Sequence, residues 1–252
     1  MTLPDRPYQV LATDYDGTLA TEGRVPSEAV EALKRFVRSG FRVVLVTGRV
    51  VTDLNGVFPA LALCTSVVAE NGAVLYNPAS GDLRPLAPPP PDEFVLALRH
   101  ANVAPLAVGR VVVATNNDHR ERVLETIREL GLELQVVFNK GSVMVLPPGI
   151  NKGIGLSAAM AELALHPAAA VGVGDAENDH SLLATCGYGV AVENAVQALK
   201  DDADLVLDEP ASHGVIDLMA RLARGEIGRR QASSAATIVT AVPIVRNTEQ
   251  RE

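Results

Sequence analysis

The sequence DYDGTL at residues 14–19 follows a short apolar run at 8–13, and these two features together decide the fold class. The run has the length and the β-branched character of a buried strand. Because side chains alternate along a strand, Asp14 and Asp16 are expected on one face, at the carboxyl edge where open parallel sheets bind ligands. Two carboxylates at one place repel each other unless a cation neutralises them, and all-oxygen ligation suits Mg²⁺. The alternative for such a pair is an Asx-type turn or a helix cap.

Runs of the same kind recur along the chain and alternate with helical patterns. This alternation is typical of a parallel sheet that is covered by helices on both faces. We therefore predict an α/β fold with a doubly wound, Rossmann-like parallel-sheet core. The later strands of this core are expected at residues 42–46, 66–69, 169–173, 187–192 and 203–207.

The middle of the chain departs from this rhythm. A turn-rich stretch and the proline run at 88–91 interrupt it, and these prolines exclude a helix interior or a central strand. The next segment predicts a helix, a strand and a second helix. It ends in two strand-like runs, at 132–138 and 142–146, which are joined closely enough to predict an antiparallel hairpin.

The chain is therefore divided into a discontinuous core, a small inserted α+β domain and a tail. The core is expected at 1–77 and 149–227, and the inserted domain at 78–148. Residues 228–252 mix Arg, Ser, Thr and Ala around one apolar piece. A flexible tail is the main expectation for them, and an added strand or a segment that binds a protein partner is the alternative.

The composition argues against several classes of function. The 252 residues carry a formal charge of −8, which disfavours a broad basic face for nucleic acid but leaves room for a local cationic pocket. Four Tyr, five Phe and no Trp make stacking platforms and membrane aromatic belts poor expectations. No apolar run is long enough to span a membrane, and the two cysteines fit neither a metal motif nor a disulfide framework. A soluble cytoplasmic protein without a nucleic-acid or membrane partner is predicted.

A second polar motif, Thr47-Gly48-Arg49, follows the second predicted strand. A hydroxyl and free backbone N–H groups at a strand-to-helix turn form a cradle for an anion, since a helix N-terminus is electropositive. Arg49 would reach a phosphate or a surface carboxylate. The alternative for the whole motif is an ordinary helix cap.

Charged residues also follow the inserted domain. Lys152 opens a predicted helix at the return into the sheet, where it can balance the acidic cluster; an ordinary solvated lysine is the alternative. Asp175 ends a strand as Asp14 does, and Asp179 lies one helical turn further on, so both carboxylates can face one site. An N-cap with acids that favour the helix dipole is the alternative there. Jointly, these strand-end motifs predict a ligand site.

Five motifs in this order resemble those of the haloacid dehalogenase superfamily of phosphohydrolases, in the branch whose cap domain is inserted after the third core strand. They are DYDGTL (14–19), TGR (47–49), ENGA (70–73), NKG with Lys152, and GDAEND (174–179). The short cap looks most like the compact caps of archaeal phosphoglycolate phosphatases and of sucrose-phosphate phosphatases. The resemblance implies a magnesium-dependent phosphatase that acts through an aspartyl-phosphate. Its substrate would be a small phosphorylated metabolite, either a sugar phosphate or a phosphoglycolate-like acid.

The resemblance also implies roles for individual residues. Asp14 would be the nucleophile, and Asp16 the general acid and base. Phosphate or substrate would be bound by Thr47, Gly48, Arg49, Lys152 and Asn178. Mg²⁺ would be held by Asp14, Asp16 through its main-chain carbonyl, Asp175 and Asp179, with Asn178 and Asp179 also supporting the metal waters or the lysine.

Other functions share parts of this pattern. A phosphomutase would return the phosphoryl group to its substrate, and a regulatory phosphate-binding module would act through a protein partner, with the tail as a candidate contact. A phospho-acceptor receiver domain shares the acidic pocket but explains neither the long insertion nor Asp16. His180 departs from the family pattern and is expected to serve local packing or capping, with a site contact as the alternative. The cap residues that would select the leaving group are Asn116, Asn117, His119, Asn139 and Lys140.

Overall fold

Two sheets organise this computed structural model, which describes residues 6–139 and 141–228. The strands are β1 (Val10–Asp14), β2 (Arg42–Val46), β3 (Ser66–Ala69), β4 (Val74–Tyr76), β5 (Leu83–Pro85), β6 (Leu106–Val108), β7 (Val113–Asn116), β8 (Gln135–Asn139), β9 (Ser142–Leu146), β10 (Ala170–Gly174), β11 (Tyr188–Ala191) and β12 (Leu205–Val206). The helices are α1 (Ser27–Arg38), α2 (Val51–Val57), α3 (Asp92–His100), α4 (Arg120–Glu129), α5 (Lys152–Glu162), α6 (His180–Thr185), α7 (Gln197–Asp202) and α8 (Ala211–Arg224).

The large sheet has the order β12-β11-β10-β1-β2-β3-β4-β5. The strands from β12 to β3 are parallel, and β4 and β5 continue the sheet in antiparallel pairing. Strands added after β1 lie on one side of it, whereas β10 and its successors lie on the other. This reversal opens a crevice between the carboxyl ends of β1 and β10, where ligands of open α/β sheets bind. The predicted fold class is confirmed.

The central strands are buried on both faces. All five residues of β1 and all five of β10 are buried, which agrees with their nearly continuous apolar sequences. Helix α1 packs against α8, and α5 packs against α6 and the β2–β3 region. The buried sheet provides a rigid base, so side chains at the strand ends hold fixed positions.

The insertion has its own sheet and its own apolar core. Its four antiparallel strands have the order β6-β7-β9-β8, and α3 packs against α4. The predicted antiparallel hairpin is the β8–β9 pair. Strand β6 was missed in the sequence because it spans only three residues after a proline. The fully or nearly fully buried side chains of this core are Phe94, Leu98, Val103, Val113, Val123, Val143 and Val145.

The boundaries of the insertion differ from the simple reading of the sequence. Strand β5 lies within the range predicted for the inserted domain, 78–148, yet it pairs with β4 at the edge of the large sheet. The chain therefore leaves the large sheet only after Pro85, and the antiparallel pairing of β4 and β5 explains why the parallel pattern did not reveal them.

The tail predicted for 228–252 lies outside the described residues, apart from Gly228. Among the described helices, none has the length and apolar character needed to cross a bilayer.

Candidate active site

Three buried carboxylates meet at the crevice between β1 and β10. Asp14 is the last residue of β1, Asp175 directly follows β10, and Asp179 precedes α6. Each offers an oxygen within 4.8 Å of the others. The Thr18 hydroxyl donates a hydrogen bond to Asp175 at 3.0 Å, so the DYDGTL and GDAEND motifs are joined directly. The structure thus brings together acids that lie about 160 residues apart in the sequence.

Lys152 lies inside this acidic cluster. It is the first residue of α5, with a side chain only 1% exposed, and its Nζ lies 2.6 Å from Asp14 Oδ1 and 2.6 Å from Asp179 Oδ1. Burial alone would lower the pKa of Lys152, but its attraction to the two carboxylates outweighs burial and raises that pKa. Lys152 is therefore a permanent cation of the site. The alternative of a solvated lysine is excluded by its burial.

The charge balance of the cluster fits a divalent cation. Three buried carboxylates have oxygens within 4.8 Å of one another, and holding ionised carboxylates so close together in a buried place is costly. A cation with two positive charges would compensate them, and carboxylate oxygens are the ligands that Mg²⁺ prefers. The donor set therefore suits Mg²⁺. Among the described residues, the Asp16 carboxylate does not belong to the group whose oxygens lie close enough together to share one metal ion.

The pKa of Asp14 reflects the same imbalance. This pKa is raised from 3.8 to about 8, mainly by burial and to a smaller extent by repulsion from Asp179 and Asp175. Attraction to Lys152 lowers the pKa but does not offset burial. Without a metal, burial therefore favours the protonated form of Asp14, and a bound cation would favour its ionised, nucleophilic form.

Stabilisation by Mg²⁺ is expected to increase with pH. Asp14 ionises at about 3.8 when unfolded and at about 8 when folded, so the metal-free fold loses stability as the pH rises between these values. Mg²⁺ requires the ionised form and competes with the proton below about pH 8. The rise in melting temperature on adding MgCl₂ should accordingly be larger at about pH 9 than at about pH 6. A larger rise at the lower pH would contradict this assignment.

Asp179 has a dense set of partners. Its Oδ2 accepts hydrogen bonds from the backbone N–H groups of Asp175 and Ala176, both at 3.0 Å, while Oδ1 binds Lys152. A Cβ on Gly174 would lie about 2.5 Å from the Asp179 carboxylate, so the glycine of GDAEND makes room for it. These contacts fix the loop that carries Asp175. Asp179 therefore acts on the site at least as a support for Asp175 and Lys152.

Asp16 and Arg49 form a two-pronged ion pair at the mouth of the site. Arg49 Nε lies 2.6 Å from Asp16 Oδ2, and Arg49 Nη2 lies 2.7 Å from Asp16 Oδ1. The Asp16 side chain is 40% exposed and that of Arg49 is 28% exposed. The guanidinium also lies 5.2 Å from the centre of the Tyr15 ring. The sequence predicted either a phosphate or a surface carboxylate as the partner of Arg49, and in the structure the partner is the Asp16 carboxylate.

These residues line a cavity of about 290 Å³ between the core and the insertion. The core side includes Asp14, Asp16, Thr47, Gly48, Arg49, Asp53, Asp175, Ala176 and Asn178. The insertion contributes Ala114, Asn139, Ser142 and Met144. Every predicted site residue except Lys152 and Asp179 lines the cavity, and these two lie behind Asp14 in the carboxylate cluster.

Among the predicted selector residues of the insertion, Asn139 reaches the cavity. Its Oδ1 is buried without a hydrogen-bond partner. Asn116 and Asn117 are exposed, and the His119 ring bonds to the backbone of Ala104. These three are absent from the cavity wall, and Lys140 lies outside the described residues.

The ENGA motif supports the site in a way that sequence reasoning missed. Asn71 Oδ1 accepts a hydrogen bond from Asn178 Nδ2 at 2.9 Å, which orients Asn178 at the cavity wall. Gly72 has φ of +103°, and a Cβ there would lie 1.9 Å from the carbonyl oxygen of Asn151. Asn151 caps α5 by accepting a hydrogen bond from the Ile154 N–H. The glycine therefore lets the end of β3 pack against the helix start that carries Lys152.

Replacing Gly72 by alanine is expected to disrupt this contact. The positive φ and the overlap with Asn151 should together cost about 2 kcal/mol or more in the free energy of unfolding. Urea denaturation would measure the loss. Gly81 is a matched control because it also has positive φ, +78°, but nothing lies within 4 Å of an added Cβ. Equal losses for Gly72→Ala and Gly81→Ala would show that the Asn151 contact contributes nothing.

Two other sequence features lie apart from the chemistry. His180 Nδ1 lies 2.8 Å from Asp202 Oδ2 at the end of α7, and His180 is absent from the cavity wall. Both cysteines are free and buried, and burial raises the pKa of the Cys64 thiol to about 12 and also raises that of Cys186. Both thiols are therefore unreactive at neutral pH.

Known proteins share this combination of fold and motifs. Residues 11–84 and 98–219 match the family described as haloacid dehalogenase-like hydrolase. The chain belongs to this family. It is 29% identical over 229 residues to phosphoglycolate phosphatase of Methanoculleus marisnigri, across 84% of this chain and 96% of that protein. The chain is a phosphatase of the haloacid dehalogenase superfamily.

Solved structures show the shared fold. A haloacid dehalogenase-like hydrolase from Bacteroides thetaiotaomicron aligns with a TM-score of 0.74 and 19% identity, over 85% of this chain and 99% of that one. A sugar phosphatase of haloacid dehalogenase subclass IIB aligns with a TM-score of 0.67 and 19% identity, over 84% and 98%. In this haloacid dehalogenase-like phosphatase, all five motifs lie within the residues that match the family. The unmatched residues, 85–97, begin at the end of β5, where the chain leaves the large sheet.

Proposed function

We propose that this phosphatase hydrolyses a small phosphorylated metabolite, a sugar phosphate or a phosphoglycolate-like acid, in a magnesium-dependent reaction through an aspartyl-phosphate on Asp14. The observation that carries the proposal is the buried Lys152 ammonium between Asp14 and Asp179, beside Asp175. Thr47 and Gly48 face the same cavity as Asp14. Phosphoryl transfer requires this combination of an in-line nucleophile and positive charge around the phosphoryl oxygens.

Asp14 and Asp175 are the carboxylates best suited to hold Mg²⁺, with the Asp16 main-chain carbonyl as a third candidate ligand and Asp179 in support. When bound, the metal would supply positive charge to the phosphoryl group and favour the ionised form of Asp14. In the proposed reaction, an Asp14 oxygen forms a bond to phosphorus while the bond to the leaving oxygen breaks. Water then hydrolyses the aspartyl-phosphate, which releases inorganic phosphate and restores Asp14.

Lys152 and Thr47 would position the phosphoryl group. The Lys152 ammonium lies against Asp14 Oδ1, which places its charge next to the reacting carboxylate. The hydroxyl oxygen of Thr47 accepts a hydrogen bond from the Arg49 N–H at 3.1 Å, so the hydroxyl hydrogen remains available to a phosphoryl oxygen. The Thr47 hydroxyl can therefore act on a phosphoryl oxygen without losing its structural contact, and Lys152 would contribute its charge from behind Asp14.

Asp16 would transfer the proton to the leaving oxygen and later take one from water. In the structure both of its oxygens accept hydrogen bonds from Arg49, which is the arrangement of a carboxylate. Proton donation by Asp16 therefore requires this pair to open. Arrival of a phosphate, which also binds guanidinium in a two-pronged manner, would supply Arg49 with a competing partner.

A panel of phosphorylated metabolites with a phosphate-release assay would test this function. Sugar phosphates and phosphoglycolate should be compared with and without Mg²⁺, and EDTA is expected to abolish release. A folded protein that releases no phosphate from any member in the presence of Mg²⁺ would contradict the proposal. Formation of a phosphate isomer without release would indicate the phosphomutase alternative.

A further inference from the structure

Glu70 connects the core to the insertion through a contact that the proposed chemistry does not use. Its side chain is 1% exposed, although it carries a carboxylate. One carboxylate oxygen accepts a hydrogen bond from the Arg110 N–H at 2.9 Å, and the other accepts from the N–H groups of Val111 and Val112 at 2.7 and 2.9 Å. These three consecutive amides form the turn between β6 and β7 of the insertion.

The turn at 109–112, which we call the docked turn, belongs to the insertion in sequence but packs in the core. Val111 and Val112 are buried in the apolar cluster of the large sheet, whereas Val113 belongs to the separate cluster of the insertion. A Cβ on Gly109 would lie 2.5 Å from the Glu70 carboxylate, so the glycine permits the close approach. The insertion is therefore attached to the core at the docked turn as well as at its two chain connections.

The same residue is tied to the phosphate-binding loop on its other side. The backbone N–H of Glu70 donates to the Arg49 carbonyl at 3.0 Å, and that of Asn71 donates to the Thr47 carbonyl at 2.9 Å. Glu70 thus contacts the Thr47–Arg49 loop through its main chain and the docked turn through its side chain. A single residue spans the boundary between the two walls of the cavity.

The backbone of Glu70 is strained, which indicates a specific role. Glu70 and Asn71 have φ values of 53° and 57°, in the left-handed region. Asparagine adopts this conformation readily, but for glutamate it costs about 1 kcal/mol or more. A glycine would avoid the strain but would lack the carboxylate. Glutamate at position 70 makes the three hydrogen bonds and bears the cost of the strained backbone.

The docked turn leads directly into the cavity wall. Ala114 follows it in β7 and is paired with Met144 of β9, and Asn139 of β8 is paired with Ser142 of β9. All four residues line the cavity opposite Asp14. Since hydrogen-bonded strands move together, a shift of the docked turn would shift this wall.

We propose that Glu70 is a positioning residue that sets the distance and orientation of the insertion wall over the catalytic carboxylates. The apolar packing of Val111 and Val112 holds the docked turn in the core, but such contacts are non-directional. The three hydrogen bonds to the Glu70 carboxylate are directional, so they also fix the orientation of the docked turn. Beside them a cavity of about 380 Å³, lined by Glu70, Gly109 and Arg110 among others, leaves the turn unpacked on one side.

Two variants disturb the contact from opposite sides. Glu70→Gln replaces one of the two acceptor oxygens with an NH₂ group, which cannot accept from a backbone N–H, and Gly109→Ala inserts a methyl group between the turn and the carboxylate without changing any charge. Val123→Ala is the control, because it weakens the core of the insertion without touching the docked turn. Spin labels at Arg38→Cys in α1 and Glu121→Cys in α4, both exposed, would report the core-to-insertion distance.

Glu70→Gln and Gly109→Ala are expected to broaden the distance distribution and to speed hydrogen exchange at the amides of residues 110–112. The control should lower the melting temperature but leave both readouts unchanged. A folded Gly109→Ala protein with the wild-type distance distribution and amide protection would overturn the proposal, even if Glu70→Gln failed to fold.

The kinetic consequence rests on the proposed function. With the best substrate of the panel, both variants should raise KM by about tenfold or more, with a smaller change in kcat, because the proposed reaction at Asp14 would leave the wall to contact the leaving group and not the phosphoryl group. The distance and exchange measurements need no activity. If the wild-type protein released no phosphate, the proposed function would fail while the positioning role of Glu70 would still be decided.

Discussion

Asp14→Asn is expected to abolish phosphate release, with kcat lower by roughly 10⁴-fold or more. The amide that replaces the carboxylate has nearly the same shape but cannot attack phosphorus. The fold should survive, because the change removes one negative charge from a buried cluster in which three carboxylates face one ammonium. Steady-state phosphate release in the presence of Mg²⁺ measures the first effect, and thermal melting measures the second.

The stability of this variant distinguishes lost chemistry from lost structure. Since burial raises the pKa of Asp14 to about 8, ionised Asp14 destabilises the metal-free fold at higher pH. At about pH 9 without Mg²⁺, Asp14→Asn should therefore melt at a temperature no lower than that of the wild-type protein. Asp118→Asn, at an exposed position of the insertion, is the control and should leave both rate and stability unchanged. Substantial turnover by a folded Asp14→Asn protein would refute the nucleophile assignment.

Lys152→Met is expected to affect both rate and stability. It leaves Asp14 and Asp179 buried without their shared cation, which should lower the free energy of unfolding by about 3–5 kcal/mol at neutral pH. Phosphate release should fall by roughly 10³-fold, because a preorganised cation is lost from the phosphoryl site. Mg²⁺ or a lower pH should restore part of the stability, since each removes negative charge from the cluster.

Lys34→Met provides the matched control for this variant. Lys34 pairs with Glu31 at 2.7 Å, close to the 2.6 Å contacts of Lys152, but its side chain is 40% exposed. An exposed pair contributes at most about 1 kcal/mol, so the control should lose little stability and no activity. If the two variants behaved alike, the buried cluster would have no special role.

The sequence predicted the central part of the site because that part depends on local pattern. Asp14 ends one apolar strand and Asp175 follows another, and parallel strands bring their carboxyl ends to one edge. The order of strands and polar residues along the chain is therefore enough to place these carboxylates together. Burial of Lys152 was not evident locally, since it results from contact with residues 138 and 27 positions away.

Other features depend on contacts that no local pattern reports. The Asp16–Arg49 pair joins two motifs that were considered separately, and it gives Asp16, the proposed general acid, a partner that must be displaced. The role of ENGA depends on approaches to Asn151 and to the docked turn, both far along the chain. The signal that could have revealed Gly72 is the glycine itself, next to an asparagine at the end of a strand. Glu70 has no such signal, because its hydrogen bonds reach backbone atoms about 40 residues away.

The most direct test of the account is to trap the phosphoryl group on the enzyme. The protein would be mixed with its best substrate and Mg²⁺, quenched in acid and treated with borohydride, which reduces an aspartyl-phosphate to homoserine, and then mapped by peptide mass spectrometry. Homoserine is expected at position 14 of the wild-type protein and is expected to be absent from Asp14→Asn. Homoserine at another aspartate, or its absence from position 14 in an enzyme that turns over rapidly, would contradict this expectation.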